Sequence, residues 1–185
     1  MNRKQTFSIL VLVLFIASAF GVAFDYLSPG SRGLKYNGHT FHQADQQYAV
    51  TVSDKELRFY YYPADLEYLT LDPQVTTLLD PPIYIITYDP QNEEAEAFAQ
   101  LQFEFEQYLQ NTKAISRALT NNTGTDLPQK TCADALPTQP VILLQQSNQS
   151  SITAQNNCII INSTNPADLL SQGERIIYKL LGIMT

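Results

Sequence analysis

Tryptophan is absent from this chain, glycine occurs only seven times, and cysteine and histidine twice each. Against so little glycine stand eleven Tyr and nine Phe, an aromatic content that suits a packed sheet better than a disordered stalk. Positive charge is also scarce. Eleven Lys and Arg oppose eighteen Asp and Glu, a formal net charge of −7, and setting aside Arg3 and Lys4 (−7 − 2) leaves −9 on the remainder. Phosphate recognition begins with a basic patch and none is visible, so no nucleic acid is expected as a partner. The acidity reads as a soluble, self-repelling surface.

The motifs of common chemistry are missing as well. Cys132 and Cys158 stand far apart, so the C-x-x-C pair that redox catalysis uses at a helix start does not occur. There is no G-x-S-x-G, no G-x-x-x-x-G-K-[ST] and no G-x-G-x-x-G. His39 and His42, three residues apart on an expected strand, point to opposite faces and cannot share a metal ion without distortion. Glu93, Glu94, Glu96, Glu104 and Glu106 read as the charged face of a helix and not as a catalytic carboxylate pair. In Tyr60-Tyr61-Tyr62, alternation sends Tyr61 one way and its neighbours the other, which suits core packing and a solvated edge better than a binding platform. No catalytic residue, metal or cofactor is expected.

What the chain does have is a long apolar run. Asn2-Arg3-Lys4 precedes an uncharged segment from Phe7 to Phe24, and the next charge is Asp25. At the 1.5 Å rise of a helix, about 18 residues cover roughly 27 Å, close to the hydrocarbon thickness of a bilayer. Residues 1–25 therefore read as a transmembrane anchor. A cleaved secretory signal is the alternative, because Ala17-Ser18-Ala19 and Gly21-Val22-Ala23 both offer small residues at a cut. A pilin-like leader fits less well, since Lys4 is followed by Gln5 and not by a small residue. Either main reading puts the following domain outside the cytoplasm, with Met1–Gln5 inside. The implied partners are the lipid bilayer, through this helix, and a protein that the sequence does not name.

Residues 26–33 carry Ser28-Pro29-Gly30-Ser31, a flexible spacer, and 34–185 read as a single α+β domain. Asn37-Gly38 between two short β-rich stretches is a hairpin signal, and Tyr48–Val52, the Ser53-Asp54 turn and Leu57, Phe59 and Tyr61 extend it into an antiparallel meander. Pro63 and Asp72-Pro73 open short helices, and Ile83–Tyr88 reads as a strand covered on both faces. Asp89-Pro90 caps a helix to about Gln110 with a stripe of Phe98, Leu101, Phe105, Tyr108 and Leu109. Phe103 falls off that stripe, so either it is exposed or the helix is wedged between the sheet and something else. Ile115–Leu119 is a strand or the tail of that helix. After a polar loop from Thr120 to Thr138, two strands, Pro140–Leu144 and Cys158–Ile161, are joined by a Ser/Asn/Gln-rich connection. Asn165-Pro166 then opens a helix with one apolar face, on which Gly173 implies close approach to the sheet; Gly182 ends it.

From Ile83 onward the order of elements, a β-α-(β)-β-β-α unit in a mixed sheet, resembles the thioredoxin-like arrangement, with Pro140 just before a strand. That family keeps a reactive cysteine pair in the turn after its first strand. Here the turn reads Asp89-Pro90-Gln91-Asn92. The last third, through Thr131-Cys132, Asn157-Cys158-Ile159-Ile160 and the run Arg175–Gly182, is similar to uncharacterised single-anchor extracytoplasmic proteins of archaea, a resemblance that implies no activity.

In an oxidising compartment, an isolated pair such as Cys132 and Cys158 forms a structural disulfide, worth roughly 3 to 4 kcal/mol. Asn121, Asn148 and Asn162 head N-x-[ST] sequons and are candidate glycosylation sites on an exported surface. The expected function is a membrane-tethered, non-catalytic interaction or envelope-assembly domain. The alternative is an extracytoplasmic thiol oxidoreductase or other enzyme on a thioredoxin-like scaffold.

Overall fold

The computed structural model describes residues 33–121 and 124–185. The expected membrane-spanning segment lies outside them; among the described residues no helix is long and apolar enough to cross a membrane. Lys35–Thr185 forms one α+β unit built on an antiparallel and a mixed sheet.

The antiparallel sheet is a meander of β1 (Leu34–Tyr36), β2 (His39–Ala44), β3 (Gln47–Val52) and β4 (Lys55–Phe59). Consecutive positive-φ residues make two of its turns, Asn37 (43°) with Gly38 (82°) and Ser53 (48°) with Asp54 (64°). Such turns match the right-handed twist of the flanking strands and so fix the register. Phe41, Val50 and Leu57 stand side by side on the covered face, with Phe59 beyond them, and all four are buried.

The mixed sheet has the order β6–β5–β7–β9–β8. Its strands are β5 (Ile83–Tyr88), β6 (Ala114–Arg117), β7 (Val141–Gln146), β8 (Ser151–Gln155) and β9 (Cys158–Ser163). All are parallel except β8, an antiparallel edge. The stretch that sequence left open between strand and helix is thus β6, paired with β5. The Ser/Asn/Gln-rich connection is more than a loop: it contains β8, which adds one strand to the element order carrying the thioredoxin-like resemblance. As an edge strand β8 needs little apolar content, and Asn156, at φ 54°, turns it back onto β9.

Three α-helices complete the unit: α1 (Pro73–Leu78), α2 (Ala95–Leu109) and α3 (Pro166–Leu180). Asp72 caps α1, its side chain accepting from the Gln74 N–H at 2.7 Å. Helix α2 begins later than Asp89-Pro90 suggests. Asp89 and Asn92 accept from the N–H groups of Gln91 and Glu94, forming successive Asx turns before the helix starts. Only Glu96 occupies the first turn; Glu93 and Glu94 precede the helix. Phe103 is 46% exposed, and the helix is wedged as well: it packs on β5 and β6, while Tyr108 Oη donates to the Arg58 carbonyl of the meander at 2.5 Å.

Asn165 caps α3 by accepting from the Asp168 N–H, and Gly182 (φ 72°) ends it, with the Ile183 N–H returning to the Tyr178 carbonyl. The sequence shows one apolar face, yet every residue from Ser171 to Tyr178 is buried. One side meets β9, and the other meets the meander, where the Tyr178 ring lies 4.2 Å from that of Phe59. Helices α2 and α3 thus lie between the two sheets. Gly173 admits close approach to α2 and not to a sheet, because a Cβ there would stand 2.3 Å from Leu101 Cδ1.

Gly173→Ala should therefore destabilise the fold by about 1–3 kcal/mol, despite the roughly 1 kcal/mol that alanine gains in helix propensity. In a Leu101→Ala background the same change should cost much less. Equal costs in both backgrounds, measured by urea unfolding, would rule this contact out as the reason for the glycine.

Candidate functional site

In an open sheet with parallel strands, ligands bind beyond the carboxyl ends, where neighbouring strands send their connections in opposite directions. Here that point lies between β5 and β7. From β5 the chain runs through α2 to β6 on one side, and from β7 it runs through β8 to β9 on the other. A crevice of about 290 Å³ opens there, lined by Asp89 and Asn92 after β5, Thr120 after β6, the end of β7 from Leu143 to Gln146, and Phe98. A second depression, lined by Gln146, Ser147, Asn148 and Thr164, adjoins it.

The fold holds these groups in place. The Thr120 N–H donates to the Tyr88 carbonyl at 2.9 Å, the Asn92 N–H to Asp89 O at 3.1 Å, and the Ser147 N–H to Ser163 O at 2.8 Å. Gln145 Nε2 donates to Asn162 Oδ1 at 2.7 Å. The polar lining consists of amides and hydroxyls with one carboxylate, Asp89. Amides and hydroxyls both donate and accept hydrogen bonds and do not titrate near neutral pH, so this arrangement suits binding and orienting a polar ligand.

All three sequon asparagines sit on this carboxyl edge. Asn121 and Asn148 are exposed beyond β6 and β7. Asn162, in β9, is half-buried: its Oδ1 accepts from Gln145 and its Nδ2 donates to Ser151 Oγ at 2.9 Å.

The cysteines belong to the opposite edge. Cys158 opens β9 beside Val141, the first residue of β7, and its sulfur is at bonding distance from that of Cys132, 2.03 Å. Cys158 is fully buried with Ile85, Ala118 and Val141, under a short 3-10 turn, Cys132–Asp134, closed by a Thr131/Asp134 capping box. The pair thereby ties the Thr120–Thr138 loop to the outer face of the mixed sheet.

Among the remaining candidates, Phe41 turns inward from β2 while His42 faces out toward Glu56 at 3.9 Å, on the face opposite His39. No group of three or more metal-binding side chains occurs among the described residues. The tyrosine run does not alternate as expected, because β4 ends at Phe59. Tyr60 is exposed, whereas Tyr62 packs edge-on against Phe41 and donates to the Lys35 carbonyl.

Glu174 belongs to no sequence motif, and sequence reasoning missed it. Its carboxylate is 1% exposed and accepts from the backbone N–H groups of Tyr60 at 2.7 Å and Tyr61 at 2.9 Å. Burial pushes its pKa up to about 8 against the opposing pull of those two bonds, with Glu104 adding repulsion. Glu104 is half-buried; burial raises its pKa, and a hydrogen bond from Gln100 at 2.9 Å opposes the shift. The available signal was position. Glu174 falls one turn after Leu170 and one before Ile177 and Tyr178, inside an apolar row. Gln102 is placed likewise between Phe98 and Phe105, and its Nε2 donates to the carbonyls of Ile86 and Ala118. No protein-family model, curated protein or solved structure matches this chain.

Two outcomes follow from these placements. The native chain should be two hydrogens lighter than its reduced form, and Cys132→Ser should cost about 3 kcal/mol, as expected for closing a loop of this length; two free thiols in protein isolated without reductant would refute the pairing. Because the folded pKa of Glu174 lies above its unfolded value of 4.5, its stabilising effect is complete below that pH and is lost as pH rises toward about 8. Stability should fall across this window by up to about 1.4 kcal/mol per pH unit, and Glu174→Gln should flatten the profile. A profile that keeps its slope in the variant would assign the dependence elsewhere.

Proposed function

We propose that this chain is a non-catalytic binding domain, held outside the cytoplasm by its N-terminal apolar segment, and that it engages a protein partner of the cell envelope through the crevice between β5 and β7. The observation that carries this reading is the crevice at the point where the sheet's connections diverge, lined by Asn92, Thr120, Gln145 and Gln146. Amide side chains match the donors and acceptors of a polypeptide backbone. A cleaved leader in place of the anchor would leave this role unchanged.

The rival, a thiol oxidoreductase, requires an accessible sulfur of lowered pKa. The full burial of Cys158 and the half-burial of Cys132, at the sheet edge away from the crevice, count against it.

A photo-crosslinking residue at Gln146, in the full chain in its native membrane, should trap a partner, and one at Gln155, exposed on the opposite edge, should not. Equal yields from the two positions, or none from Gln146, would remove the crevice from the function. A thiol that exchanges with glutathione at the potential of known exchange enzymes would establish the rival instead.

A further inference from the structure

Away from both sheet edges, a cavity of about 240 Å³ opens between α2, the start of α3 and the residue that follows β4. Ala97, Leu101, Leu169 and Leu170 give it apolar walls, the half-exposed ring of Tyr60 stands at its rim, and Glu104 is its one carboxylate. We propose that this cavity receives a lysine side chain of a partner polypeptide, with the ammonium at Glu104 and the aliphatic stem along the leucines.

Size, charge and the geometry of the acid each select that occupant. The volume falls below the roughly 300–1,000 Å³ of pockets that enclose whole small molecules and suits a single side chain. Glu104 has no cationic partner among the described residues, although apolar surroundings make an unpaired carboxylate costly. One oxygen of Glu104 already accepts from Gln100 at 2.9 Å. An arginine fork binds best to both oxygens of a free carboxylate, whereas an ammonium is a point charge that one oxygen can hold. The Tyr60 ring lines the same cavity, and aromatic rings attract cations. Glu174 acts here as a positioning residue, since it holds the backbone N–H of Tyr60 at 2.7 Å.

The test titrates the full chain, in detergent micelles, with capped tripeptides Ala-Lys-Ala, Ala-Arg-Ala and Ala-norleucine-Ala and with butylammonium, read by ligand-observed NMR. The lysine peptide should bind with a Kd on the order of millimolar, as a single short side chain allows. The arginine and norleucine peptides should bind about tenfold more weakly, and Glu104→Gln should weaken the lysine peptide by a similar factor. Tyr60→Leu should cost about threefold. Norleucine binding as well as lysine, or affinity unchanged in Glu104→Gln, overturns the proposal. Butylammonium binding as tightly as the peptide overturns the polypeptide source in favour of a free amine. Crosslinking from Gln146 is independent of every arm, so failure here leaves the crevice untouched.

Discussion

From Ser171 to Tyr178 helix α3 is buried on every side, and the two hydrogen bonds from the peptide N–H groups of Tyr60 and Tyr61 to Glu174 make that burial tolerable. A carboxyl group removed from water is costly unless hydrogen bonds replace its hydration. Where β4 ends at Phe59, the next two N–H groups have left the strand ladder and need acceptors of their own. Each side answers the other's need. The same logic runs along the polar side of the helix, where Gln172 Nε2 donates to the Asn162 carbonyl at 2.9 Å and Arg175 Nε to the Leu69 carbonyl at 3.0 Å. Gln172 Oε1 and Arg175 Nη1 stay buried without a partner, while α3 presents Tyr178 to Phe41 and Phe59 of the meander, and one apolar cluster runs through both sheets.

Features set by local chemistry were legible in the sequence. Asn37-Gly38, Asp72-Pro73, Asn165-Pro166 and Gly182 determine φ or satisfy free helix ends within a few residues, and each does in the fold what its type dictates. Asp89 misled because a side chain that caps a helix can equally close an Asx turn. The edge strand β8 escaped because an edge tolerates the composition of a loop. Gly173 was recognised as a point of close approach, but which element it approaches depends on the packing of the two helices. The polar residues of α3 were the least legible, since their acceptors and donors come from segments as far as 114 residues away. The crevice follows from strand order, a property of the whole sheet, and Asn92, Thr120, Gln145 and Gln146 are unremarkable where they stand in the chain.

The two edges of the mixed sheet divide its work. At the amino edge Lys113 Nζ donates to the carbonyls of Asp80 and Pro81 at 3.0 and 2.9 Å, and Cys158 anchors the covering loop beside Val141. These contacts fix the strand starts. The carboxyl edge keeps amides and hydroxyls at the strand ends and the starts of the following loops, held by backbone hydrogen bonds such as Thr120 N–H to Tyr88 O and Ser147 N–H to Ser163 O, an arrangement in which a rigid scaffold presents polar groups at a stable spacing.

The central position of α3 also bears on how such a chain is made. Both sheets precede it in the order of synthesis, and the cover that α2 gives their inner faces is incomplete until residues 166–182 have left the ribosome. A nascent chain that stops short of Pro166 carries two half-built sheets with their apolar faces partly open, and no smaller domain to settle into. The contact between Tyr60 and Glu174 closes a loop of more than a hundred residues, so folding waits for it and proceeds as a late event dominated by long-range pairing.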